Sequence, residues 1–299
     1  MNEERKRILE MVSDGTITPS EGARLLEALG SSGFGRERPS TPRRRSIIEA
    51  SAMLSEIGPM LQETMGEIFK GTRKLDPTEG LELQETESYN ADLPEGSDIV
   101  IHGSMSKGKP ISILLKKSPD SSLQASIDDG GSVGFCEKSG KTILQWKSGD
   151  LTVLVPDTAG SVQVISKGGP IRSEGVRVPL TLNTMGGGVF ISNPGSSFSA
   201  KTMGGKLDIA LDGSWNKNSK AKSMGGGVSV CIAGDVPVII DASTLGGTID
   251  PGDLDHKILS SSGGKRGGSR MSISYGDADD APKLAVSTMG GDIVIKGES

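Results

Sequence analysis

The residues of this chain that could do chemistry are few and scattered. Ser139-Gly140-Lys141-Thr142 ends like a phosphate-binding loop, in which the Lys and the hydroxyl would hold phosphate oxygens and their metal ion. That motif needs a Gly five positions before Gly140, where Phe135 stands and Gly134 is one position off. It should also open a helix, yet Ile143-Leu144-Gln145-Trp146 reads as a strand. There are two histidines, His102 and His256. Asp255-His256, beside Ser260, Ser261 and Ser262, has the residue types of a hydrolase triad. Neighbouring positions on a strand point to opposite faces, so Asp255 is badly placed to orient His256. Asp277, Asp279 and Asp280 have the chemistry for Ca²⁺, but no Gly-and-Glu loop follows them. Trp146 and Trp215 are candidate exposed anchors for a ligand. Cys136 and Cys231 lie in separate strand-like runs and read as free thiols. No catalytic, cofactor-binding or metal site is expected, and no binding residue is assigned.

The elements that would have to position such residues are rich in glycine. Of 299 residues 43 are Gly, about twice the usual share of roughly 7%, against nine aromatics (five Phe, two Trp, two Tyr). Apolar content is 34%, so any core is narrow and aliphatic with many tight turns. Net charge is −5, and neither the stretch before Gly80 nor the rest carries a positive excess, which argues against a nucleic-acid partner. The opening Asn2-Glu3-Glu4-Arg5-Lys6-Arg7 is unlike a signal peptide, and no apolar run is long enough for a membrane helix. The expected location is cytoplasmic, with surface association as a second possibility and membrane contact at most peripheral.

An internal repeat organises the second half. Thr184-Met185-Gly186-Gly187-Gly188-Val189-Phe190-Ile191 recurs with Gly pairs beginning at Gly204, Gly225, Gly246 and Gly290, spacings of 18, 21, 21 and 44 residues. The pattern is Ser/Thr, Met/Leu, Gly-Gly, any, aliphatic, any, aliphatic. Ser166-Lys167-Gly168-Gly169 lies 18 residues upstream, and Ser262-Gly263-Gly264 reads as a degenerate copy inside the long gap. A period near 20 with alternating aliphatics predicts a single-stranded β-helix or solenoid. Val189, Leu207, Val228, Ile249 and Ile293 should stack as an inward ladder. The Gly pair should form a corner with positive φ, filled from inside by the Met or Leu before it. The runs Ile111–Leu115, Ile143–Trp146, Leu151–Val155 and Val162–Ile165 read as strands of the first coils or of a capping sheet.

The predicted organisation is a helical hairpin over 1–30, a flexible linker over 31–45, an amphipathic helix over 46–70, a linker over 71–85 and a β-solenoid over 86–299. In the hairpin, Ile8, Leu9, Met11 and Val12 form one apolar stripe and Ala23, Leu25, Leu26 and Leu29 another. Thr18-Pro19-Ser20-Glu21 supplies the start of the second helix. Two helices this short need a partner surface. In the later helix Ile47, Leu54, Leu61 and Ile68 recur every seventh position, interrupted by Gly58-Pro59.

Two resemblances follow from these residues. "ILEMV", "GTIT" and "EGARLLEAL" within residues 4–29 resemble the short N-terminal domain of YvlB/LiaX-type bacterial proteins. The "TMGGxVxI" copies, "LTVLVP" at Leu151–Pro156 and "DVPVIIDAST" at Asp235–Thr244 resemble the bacterial putative-adhesin β-solenoid domain. Together they imply a non-enzymatic interaction or scaffold protein of the cell-envelope stress response. It would act by protein–protein or surface contact, with partner binding or self-association through residues 1–70. The alternative is an exported, adhesin-like or peptide-binding surface protein.

Overall fold

The computed structural model describes residues 81–103, 111–128, 131–234, 236–264, 267–276 and 281–298. The helical hairpin, both linkers up to residue 80, the amphipathic helix and Asp277, Asp279 and Asp280 lie outside the described residues.

The described residues are mainly β and form 22 strands. The first eight are β1 (Gln84–Thr86), β2 (Ser88–Asp92), β3 (Asp98–Gly103), β4 (Ile111–Lys117), β5 (Ser122–Ile127), β6 (Val133–Lys138), β7 (Lys141–Trp146) and β8 (Gly149–Val155). The middle of the chain gives β9 (Ser161–Ser166), β10 (Ile171–Glu174), β11 (Leu180–Thr184), β12 (Val189–Ser192), β13 (Phe198–Thr202), β14 (Leu207–Leu211), β15 (Ser219–Ser223) and β16 (Val228–Ile232). The last six are β17 (Val238–Thr244), β18 (Ile249–Asp250), β19 (His256–Gly264), β20 (Gly267–Tyr275), β21 (Lys283–Thr288) and β22 (Ile293–Gly297).

These strands form two sheets that face each other across the core. One has the order β1-β6-β7-β3-β9-β11-β13-β15-β21-β17-β20-β19; the other runs β18-β22-β16-β14-β12-β10-β4-β8-β5-β2. A coil is one strand in each sheet joined by a corner. From β9 to β16 successive coils stack in parallel, with Leu180 beside Val162 and Phe198, and Leu207 beside Val189 and Val228. Alternate side chains point inward, so the burial of β11, β13, β14 and β16 alternates along each strand. The predicted ladder forms, extended by Ile171 at one end.

The stacking order breaks at both ends. β21 lies between β15 and β17, and β22 between β16 and β18, so the last coil in sequence is inserted between two earlier ones. The ladder therefore runs Val189, Leu207, Val228, Ile293, Ile249, with the final pair exchanged relative to the chain. At the other end the β3–β4 coil sits inside the β7–β8 coil. Antiparallel strands then close the stack. β5 and β2 follow β8, while β6 and β1 follow β7. The long gap in the repeat holds the antiparallel hairpin β19–β20. Ser262-Gly263-Gly264 is strand in that hairpin, exposed at Ser262 and Gly263, and forms no corner.

The corners differ from expectation in two respects. First, the residue taken inside is the Ser or Thr: Thr184, Thr202, Ser223, Thr244 and Thr288 are buried, while Met185, Met203, Met224, Leu245 and Met289 are half-buried. A hydroxyl fits there because it has two backbone partners. Thr202 Oγ1 donates to the Gly187 carbonyl of the coil below (2.7 Å) and accepts the Gly205 N–H of its own corner (3.1 Å). Ser223 repeats this with Gly205 and Gly226, Thr288 with Gly226 and Gly291, and Thr244 with Gly291 and Gly247. A methionine has no proton to give the carbonyl and only a weak acceptor for the N–H.

Second, positive φ is not the reason for the glycines. Among the corner pairs only Gly169 has it (φ +75). The second Gly of each pair is needed because the coils approach too closely for a side chain. A Cβ on Gly205 would lie 2.2 Å from the Gly187 carbonyl oxygen, and one on Gly247 2.2 Å from that of Gly291. The first Gly has more room: a Cβ on Gly204 would meet nothing nearer than 3.5 Å, and those on Gly225 and Gly246 would lie 3.1 and 3.2 Å from a backbone oxygen.

Candidate functional site

Most residue types that could carry chemistry are occupied in turns and packing. Ser139 (φ 52) and Gly140 (φ 72) are the two central residues of the tight turn between β6 and β7, both left-handed as such a hairpin requires. Lys141 and Thr142 then enter an antiparallel strand, with Thr142 buried. A phosphate cradle needs backbone N–H groups converging at a helix start, and here a strand follows.

Trp146 and Trp215 are core residues and present no surface anchor; they are 0% and 2% exposed. Trp146 packs against the backbone of Gly103, where a Cβ would lie 2.4 Å from the ring. Trp215 Nε1 donates to Ser219 Oγ (3.1 Å). Their burial could not be read from neighbouring residues, because each fills space supplied by other coils. Cys136 and Cys231 are free and half-buried.

His102 is buried in β3. His256 opens β19, and its Nδ1 lies 2.7 Å from the Leu254 carbonyl, an acceptor to which that nitrogen donates. The ring also lies against Tyr275, centroids 5.8 Å apart. Tyr275 donates its hydroxyl to the Pro251 carbonyl (2.7 Å); burial, and then the nearby Asp250 charge, push its phenol well above the usual range. Asp255 is exposed, and Ser260, Ser261 and Ser262 are exposed further along β19. Asp255, His256 and these serines are not assembled as a triad.

Around His256 the structure forms an open cavity of about 370 Å³, lined by Ile232, Val236, Leu254, His256, Lys257 and Tyr275 among others. Its lining combines aliphatic Ile232, Val236 and Leu254 with polar Asp255, His256, Lys257 and Ser274, the general make-up of a site for a small amphipathic group. It lies where the β16–β17, β18–β19 and β20–β21 connections meet. No sequence pattern points to it, since these segments are separate in the chain.

The outward faces of the two sheets are the other large feature. Gln163, Thr181, Ser199 and Lys220 are in register across β9, β11, β13 and β15, and Ile165, Asn183, Lys201 and Lys222 form the adjacent row. On the opposite sheet, Phe190 lies under the Arg172 guanidinium (4.2 Å to the ring centre) and near Lys206 (5.5 Å), with Lys206 paired to Asp208 at 2.7 Å. These are regular, mostly polar surfaces. Among the described residues, no group of three or more His, Cys, Asp and Glu could hold a metal ion, and no helix is long and apolar enough to cross a membrane.

Residues 3–33 match the family described as SHOCT-like domain, on the stretch that resembles the YvlB/LiaX N-terminal domain. No curated protein matches the chain. Among solved structures, the chain is similar to a putative cell adhesion protein from Clostridium sporogenes, with 10% identity and a TM-score of 0.40 over 73% of this chain and 100% of that one. It is also similar to a putative adhesin from Bacteroides fragilis, with 10% identity and a TM-score of 0.27 over 72% of this chain and 97% of that one. A putative adhesin from Parabacteroides merdae gives 8% identity and a TM-score of 0.21 over 72% and 97%.

Proposed function

We propose that this chain is a non-catalytic, adhesin-like binding protein that meets its partner through the outer surface of the solenoid. The supporting observation is where its repeated residues are used. The hydroxyl and second Gly of each full repeat bind one another and the adjacent coil, so five equivalent motifs build one rigid support. What that support presents outward is two extended, mostly polar sheet faces, suited to contact over area. The resemblance of residues 86–299 to the putative-adhesin β-solenoid domain points the same way. Residues 1–70 add a second contact, for self-association or a protein partner. An envelope-stress scaffold is the other setting for the same binding chemistry, and it draws on the N-terminal resemblance alone.

Protease treatment of intact cells, with binding of the labelled purified protein to those cells, tests this reading. A surface-accessible pool and saturable binding are expected. A protected pool crosslinked to one defined intracellular partner would instead favour the stress scaffold, and turnover of a glycan or peptide substrate would overturn the non-catalytic assignment. Deleting residues 1–80 should change the oligomeric state or remove a partner; an unchanged profile would remove residues 1–70 from the proposal.

A further inference from the structure

The sheets end in very unequal edges. β1 has three residues, β18 two and β2 five, with Asp92 at its end. β19 has nine, and among the described residues no strand lies beyond it. A strand of this length paired along one side alone offers the groups of its other edge to another chain. Ile258 and Leu259, at 49% and 48%, are the most exposed large apolar side chains of the described residues. They sit at a register shift between Ile258 and Ser260, after which Ser260 to Gly263 pair regularly with β20.

Charge narrows what can pair there. From His256 to Tyr275 the sequence holds Lys257, Lys265, Arg266 and Arg270 and no acidic residue, while Asp253 and Asp255 precede this run and Asp255 is part of the cavity lining. A second copy of the same edge would bring like charges together. An acidic strand would bring opposite ones, with Lys257 and Arg270 on the described strands. The cavity beside His256, Lys257 and Tyr275 lies at the start of this edge.

We propose that the outer edge of β19 is a strand-addition site for an extended, acidic peptide segment of a partner protein, anchored by an apolar side chain in the cavity at His256 and Tyr275. Main-chain pairing supplies the attachment, and the cationic hairpin selects for acidic sequence. This rests on the binding-protein reading and names one of its surfaces.

The test uses the full chain and a synthetic nine-residue peptide alternating Glu and Val, followed by fluorescence anisotropy and by amide hydrogen exchange of β19. Binding should slow exchange across Lys257–Gly263 and weaken with salt. It should fall about tenfold or more in Lys257→Glu/Arg270→Glu, a pair of surface changes that leave the core untouched. The same peptide N-methylated at alternate residues keeps its charge but loses a row of donors, and should not bind. Equal binding of the methylated peptide would reduce the site to charge attraction and overturn strand addition. So would absence of β19 protection, protection that grows with protein concentration alone, or protection by phosphatidylglycerol vesicles in place of the peptide. Such a failure leaves the binding-protein reading standing if intact cells still bind the labelled protein, so the two are judged separately.

Discussion

Between β9 and β16 the chain lays down its coils in the order in which they stack, whereas from β17 to β22 it leaves a slot and returns to fill it. The two regions use the same rung. Thr202 at a middle corner and Thr288 in the inserted coil make the same pair of bonds, each donating at 2.7 Å to a glycine carbonyl of the neighbouring coil. What separates them is the distance along the chain over which neighbours are found. In the middle, a coil meets a neighbour about twenty residues away; in the slot, Thr288 meets Gly226 at a separation of 62. A local motif therefore fixes the shape of a rung without fixing its place in the stack.

Removing the inserted coil should break the contrast most severely. Without residues 281–299 the buried Leu284, Val286, Ile293 and Ile295 are lost, and their neighbours in β15, β16, β17 and β18 face an empty slot. At about 1.5–3 kcal/mol for each buried side chain, the loss rivals the whole stability of an ordinary domain. Hydrogen exchange should show β17 to β20 unprotected while β9 to β14 stay protected. Continued protection of β17 would mean that the stack closes over the gap.

Glycine substitutions at one middle corner come next. Gly205→Ala places a methyl 2.2 Å from a backbone oxygen and should cost about 1–3 kcal/mol, the range for overpacking. Gly204→Ala has 3.5 Å of room and should stay within about 0.5 kcal/mol. Thermal unfolding of the two variants gives the comparison; equal losses would mean that the corner selects glycine for backbone conformation after all.

Thr202→Val keeps the shape and removes the hydroxyl, leaving the Gly187 carbonyl and Gly205 N–H without that partner, at a cost of about 1–3 kcal/mol. Thr288→Val should cost a similar amount despite the longer chain separation. A loss confined to one of them would show that the two regions do not share a rung after all.

The smallest effect concerns the outer end of the inserted coil. Asp292 Oδ1 accepts the Thr248 N–H at 2.7 Å and its hydroxyl at 2.9 Å, and these bonds hold the carboxyl below its ordinary 3.8. Because the folded group is the stronger acid, its contribution is complete above the unfolded value and fades as pH falls through the folded one. The difference in Tm between the protein and Asp292→Ala should be larger near about pH 6 than near about pH 2. An unchanged difference would mean that the contact does not hold the two coils together.

Much of the rung was legible in the sequence. The five Gly pairs marked the corners, and Val189, Leu207, Val228, Ile249 and Ile293 were identified as one ladder because their spacing within the repeat is constant. Strands such as β8 and β17 stood out as aliphatic runs. The order of the ladder was not legible, because Ile293 and Ile249 carry the same local pattern and differ only in which edge they reach. Nor was the inward Thr, whose value lies in a carbonyl that another coil supplies. The second Gly answers to that same neighbouring backbone, so a conformational reason was assigned where a steric one operates. Of the candidate surfaces, the cationic run around β19 is visible as composition, but its status as an open edge depends on the hairpin falling outside the stack.

The order of the stack is tested most directly by disulfide trapping in a Cys136→Ser/Cys231→Ser background. Lys220 and Ala285 are partners on adjacent strands, with Asp241 one strand further on. Adjacent strands lie roughly 4.8 Å apart, within reach of a disulfide, and alternate ones roughly 9–10 Å, beyond it. The inserted-coil order predicts a rapid crosslink for Lys220→Cys/Ala285→Cys and none for Lys220→Cys/Asp241→Cys. The reverse result would place the coils in chain order and contradict it.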